Sequence, residues 1–87
     1  MTDQLRSAEE LALAVWDTIS PETADKVSLR QAAVDLLFAS KTTPRPPRIA
    51  AARDLAFCVI HWADTGTADG YQDVQRASRA YEELRLR

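Results

Sequence analysis

Apolar residues recur along this chain at intervals of three and four, and no stretch alternates with the period of two that marks a strand. The pattern therefore predicts helices throughout. Between Asp3 and Ile19 the positions Leu5, Ala8, Leu11, Ala12, Val15, Trp16 and Ile19 fall within about 140° of one helical face, with Arg6, Glu9, Glu10 and Asp17 outside it. Ser20-Pro21-Glu22 then supplies a cap, a proline suited to a first helical position and an acid at the positive end of the helix dipole. A second helix ends near Ser40. Its start is open between Pro21 and Ser28, because Ser28 and Gln31 form a capping box with Val27 placed to staple it.

The second helix is apolar on two sides. Leu29, Ala32, Ala33, Leu36 and Leu37 make its main face, while Val27, Val34 and Phe38 project elsewhere. A helix of that kind needs two neighbours, and a chain of 87 residues has few elements with which to supply both. Val27, Val34 and Phe38 are therefore the expected self-association surface, with a twofold homodimer as the simplest solution.

A third helix is expected from Pro46 or Pro47 to Gly66, where proline is tolerated at the start and glycine can close the end in the left-handed conformation. Its apolar positions, from Ile49 to Ala63, span about 200°, which marks it as the central helix. Its main partner is expected to be the second helix, through Leu55 and Leu36. A fourth helix opens at Asp69, with Gln72 three residues on, and carries Val74, Ala77, Tyr81 and Leu84 on one stripe. Leu13 and Phe57 fall outside their helices' apolar arcs and are expected to be exposed. The fold class is all-α: one domain, a compact four-helix bundle with a proline-rich loop between its second and third helices.

That loop, Lys41-Thr42-Thr43-Pro44-Arg45-Pro46-Pro47-Arg48, cannot be helical through its prolines. Formal charge over the whole chain is −2, which argues against general affinity for nucleic acid. The charge is unevenly placed, however. No acid lies between Leu36 and Arg53, and Lys41, Arg45, Arg48 and Arg53 make this stretch locally basic. These four are the candidate partner-binding residues. The loop also fits the basic-x-x-Pro-x-x-Pro pattern that SH3-like grooves read as polyproline II, although a short interhelical connector is the simpler role.

Catalytic and metal chemistry find little support. Asp54, Cys58 and His61 share a ridge of the third helix, but three groups on one helix do not arrange a base on a thiol and an acid behind the base. With one cysteine and one histidine in the chain, a standard zinc cage is excluded and no internal disulfide can form. No cofactor, no metal and no enzymatic activity are expected. No segment is apolar for long enough to span a bilayer, so a cytoplasmic protein without membrane contact is expected. Nine arginines against two lysines fit a GC-rich bacterial or phage genome.

Ser28-Leu29-Arg30-Gln31-Ala32-Ala33-Val34-Asp35-Leu36-Leu37 resembles the first helix of a bacterial helix-turn-helix, as in excisionase-like regulators. That resemblance implies a DNA-binding regulator whose basic segment, residues 41–53, contacts phosphates. Where the motif has a tight turn and a groove-entering helix, this chain has Phe38-Ala39-Ser40 and the proline loop. The favoured expectation is a small protein-protein interaction module, an adaptor, regulator or inhibitor that self-associates, with the DNA-binding regulator as the alternative.

Overall fold

A computed structural model describes residues 3–17, 25–41 and 46–86. They form four helices, α1 (Asp3–Trp16), α2 (Lys26–Ala39), α3 (Pro47–Thr65) and α4 (Ala68–Arg85), with no strand among the described residues. Ile19, the Ser20-Pro21-Glu22 start signal and Arg45 lie outside them.

Local chemistry explains each boundary. Pro46 holds φ −59° and ψ 150°, and Pro47 takes the first helical position of α3, where a missing N–H costs nothing. Gly66 closes α3 at φ 66° and returns its N–H to the Trp62 carbonyl at 2.7 Å. One start left open is settled and one expected start moves. α2 begins at Lys26 because Asp25, not Ser28, is the cap: its carboxylate accepts from the Ser28 backbone N–H at 3.1 Å and from the Ser28 hydroxyl at 2.7 Å. These bonds hold the Asp25 carboxyl below its usual range, the backbone bond first. Val27 staples nothing and stands 81% exposed. α4 begins one residue before Asp69, capped by Thr67, whose hydroxyl accepts from the Gly70 N–H at 3.1 Å.

The buried faces follow the helical period. Leu11 and Ala12 of α1, Leu29, Ala33 and Leu36 of α2, Ile49, Leu55, Val59 and Trp62 of α3, and Val74 and Tyr81 of α4 join one apolar cluster. α3 is the central element. Its most extensive packing is against α4, not against α2 as the pattern suggested. The reason lies at Gly70, where a Cβ would stand 3.3 Å from the Trp62 Cα, so the bare glycine lets α4 run close along α3. Leu13 is half exposed, as its place outside the α1 arc predicts, and Trp16 lies at the boundary with its indole N–H donated to the Ser78 hydroxyl at 2.8 Å.

Candidate functional site

Among the described residues, the outer side of α2 carries two large apolar side chains exposed to solvent, Val27 and Phe38. Val27, Val34 and Phe38 lie within about 40° on this helix. Phe38 is 63% exposed and Val34 half-buried. The helix that presents them is fixed at both ends. Asp25 caps its start, and at its far end Arg53 of α3 donates one Nη to the Leu37 carbonyl at 3.2 Å, the Ser40 carbonyl at 3.1 Å and the Ser40 hydroxyl at 2.8 Å. A guanidinium on the last carbonyls is the favourable charge for the negative end of the dipole.

A second tie runs the other way. Arg30 of α2 donates its Nε to Asp64 of α3 at 3.1 Å. Together the two ties show α2 and α3 antiparallel, since the start of each meets the end of the other. Arg53, Phe57 and Asp64 share one ridge of α3. With Arg53 and Asp64 both bound to α2, Phe57 is held between them at the α2–α3 seam, 55% exposed, its ring 5.8 Å from the Arg53 guanidinium. Lys41 sits just past the end of α2, its ammonium 4.3 Å from the centre of the Phe38 ring. The surface is thus an apolar stripe with cations at its margins.

The four bases of residues 41–53 do not form one face. Arg45 lies outside the described residues. Arg48 turns away from Arg53, towards α1 and α4, where its Nε donates to the Tyr81 hydroxyl at 3.2 Å and its Nη2 bonds Glu9 Oε1. The same Glu9 oxygen accepts from the Tyr81 hydroxyl at 2.8 Å and from Arg85 Nε at 3.0 Å. Burial alone would raise the Glu9 carboxyl, but the Tyr81 bond and the Arg85 and Arg48 charges outweigh it and hold the group below its usual range. Burial pushes the Tyr81 hydroxyl up, and the neighbouring carboxylate reinforces this against the opposing Arg48 bond. Arg48 itself is raised, chiefly by its Tyr81 bond. This cluster ties three helices together. Nothing in the local sequence announces it, because Glu9 is 39 residues from Arg48.

The helix-turn-helix resemblance also meets a structural departure. α2 ends at Ser40, and the next helix, α3, is the most enclosed of the four rather than a projecting recognition helix. The Lys41–Pro47 segment is described only at its ends.

Cys58 is half-buried in a shallow groove between α3 and α4, with Asp54, Asp73 and Arg76 among its walls. Burial pushes its thiol up, and the Asp73 and Asp54 charges push further, so it stays protonated and is a poor nucleophile at neutral pH. His61 is exposed and is not part of that groove. Among the described residues no group of His, Cys, Asp or Glu side chains is placed to hold a metal ion, and no helix is long and apolar enough to cross a membrane.

The described residues therefore define an all-α helical bundle whose second helix exposes apolar side chains. Comparison with protein-family models, curated proteins and solved structures finds no match.

Proposed function

We propose that this chain is a small cytoplasmic protein-interaction module, an adaptor, regulator or inhibitor with a binding rather than a catalytic role, and that it self-associates through the outer face of α2. The observation that carries the reading is the pair Val27 and Phe38, 81% and 63% exposed on a helix fixed at both ends. Large apolar side chains aligned on a rigid surface favour a partner that removes them from water. Val34 completes the contact. Of the basic residues, Lys41 borders the stripe with its ammonium over the Phe38 ring, and Arg48 and Arg53 bond within the bundle.

Light scattering behind size exclusion, over a range of protein concentrations, tests the reading. The wild-type chain should pass from monomer to dimer as concentration rises, and Phe38→Glu should remain monomeric with an unchanged helical circular dichroism spectrum. A wild-type monomer throughout, or a Phe38→Glu variant that unfolds, would contradict it. Binding to duplex DNA that weakens steeply with salt would instead favour the regulator reading through residues 41–53.

A further inference from the structure

The uncovered stripe of α2 has the spacing of a coiled-coil seam. Val27, Gln31, Val34 and Phe38 follow one another at intervals of four, three and four, the alternation that keeps one row of side chains against a neighbouring helix. Written as a heptad, Val27 and Val34 take d positions and Gln31 and Phe38 take a positions. Arg30 then falls at g and Asp35 at e, one on each flank of the stripe, and both are exposed. We infer that two copies of the chain pair through α2 side by side and in the same direction, with Arg30 of each copy facing Asp35 of the other. The inference rests on the proposed self-association and assigns its orientation and register.

Charge chooses the orientation. Across a parallel twofold pair, the g residue of one helix faces the e residue five positions further on in the other, which brings Arg30 to Asp35 twice. In an antiparallel pair the like flanks meet, so Arg30 of one copy and Asp35 of the other stand on opposite flanks and neither attraction forms. The Arg30 guanidinium uses its Nε for Asp64 of its own chain, and its fork carries further donors for a second carboxylate.

Gln31 points the same way. Its Nε2 donates to Asp35 Oδ1 of the same helix at 2.9 Å, which steadies the carboxylate that Arg30 of the other copy would meet. In the parallel register position 31 meets its own copy, where the remaining N–H and the carbonyl oxygen of each carboxamide can bond each other while excluding slipped registers. Aligning Val27 with Phe38 in an antiparallel pair sets Gln31 against Val34, which leaves an amide facing an alkyl group. The seam is short. Lys41, the next d position, lies beyond the helix end and is exposed, so pairing is confined to Val27 through Phe38. A free helix of 14 residues would be marginal, but α2 is already folded against α1 and α3 and loses little freedom on pairing. The dimer should therefore form with a Kd roughly in the micromolar range or weaker.

The test is a charge swap followed by sedimentation equilibrium on the full chain. Arg30→Asp and Asp35→Arg, each alone, should weaken dimerisation about tenfold, since each converts two attractions into two repulsions. The double swap should return the affinity to within about threefold of wild type. Asp64→Asn, which loosens the internal Arg30 tie only, should leave the dimer unchanged. Orientation is read separately in a Cys58→Ala background: Gln31→Cys should oxidise to a disulfide-linked dimer, because a parallel seam sets that position opposite itself. Efficient linkage of a Gln31→Cys chain to a Val34→Cys chain, or a dimer indifferent to the charge swaps, would overturn the parallel register while keeping self-association. A wild-type monomer at every concentration would overturn both.

Discussion

Glu9 and Phe38 exchange the places that their chemistry suggests. Glu9 is a charged residue on the polar side of α1, yet it lies largely covered between Arg48, Arg85 and Tyr81. Phe38 is a large apolar residue, yet most of its surface faces water. The difference comes from how many elements reach each place. α1, α3 and α4 converge on Glu9 and enclose it in bonds, whereas among the described residues α2 packs with α1 and α3 and keeps Val27 and Phe38 exposed. Side-chain type alone therefore does not tell a binding surface from an internal one. The four-base run at 41–53 looked like a surface, and two of its members turn out to hold the bundle together.

The largest effect expected is in the enclosed region. Leu55→Ala or Leu36→Ala should cost about 2–5 kcal/mol in denaturant unfolding, because each side chain is fully buried and its removal leaves a cavity. Leu13→Ala, at a half-exposed site, should be close to silent. Equal costs at Leu13 and Leu55 would show that the faces of α1 and α3 have been assigned wrongly.

Next comes the Glu9 cluster. Glu9→Gln removes the charge that Arg48 and Arg85 share and should cost about 1–3 kcal/mol at neutral pH. Because the Glu9 carboxyl is depressed in the folded state, its contribution is present above the ordinary value of 4.5 and is lost as pH falls through the lower folded value. The wild type should thus lose stability on acidification more steeply than Glu9→Gln. Tyr81 acts at the other end: its raised hydroxyl contributes stability below its ordinary value of 10.0, and that is lost as pH rises through the folded value. Identical acid profiles for wild type and Glu9→Gln would place the carboxylate outside the cluster's energetics.

A smaller effect belongs to Arg53, which ties α3 to the end of α2 that carries Phe38. Arg53→Met keeps the apolar stem and removes the guanidinium from the carbonyls of Leu37 and Ser40. The loss should be roughly 1 kcal/mol, with amide exchange accelerated in the last turn of α2 before anywhere else. Acceleration spread evenly over the bundle would deny Arg53 a local capping role.

Much of the bundle was legible because it is written locally. Pro47 and Gly66 bound α3 by backbone geometry, and the 3.6-residue period separates Leu55 from Phe57 without any knowledge of neighbours. The start of α2 stays open in the sequence because Asp25 and Ser28 are both strong caps three residues apart, and sequence alone does not show which one leads. The width of an apolar face says how much must be covered, but not by what, so the prominence of α4 over α2 against α3 was hidden. The candidate surface divides in the same way. The exposed stripe follows from periodicity, whereas the inward turn of Arg48 depends on an acid 39 residues away.

Phe38→Ser should have the smallest effect on the isolated fold and the sharpest bearing on the contrast between the two regions. The ring is mostly in water, with the exposed Lys41 ammonium over its face. Replacing it removes little buried area, so monomer stability should stay within about 0.5 kcal/mol of wild type. Association should fall at the same time, because in a pair this ring would be withdrawn from water. Denaturant melts at low protein concentration, where dimers are absent, give the first quantity, and light scattering at high concentration gives the second. A melt that shifts by several kcal/mol with no change in association would place Phe38 with Leu36 as part of the core, and the open side of α2 would no longer be a surface waiting for a partner.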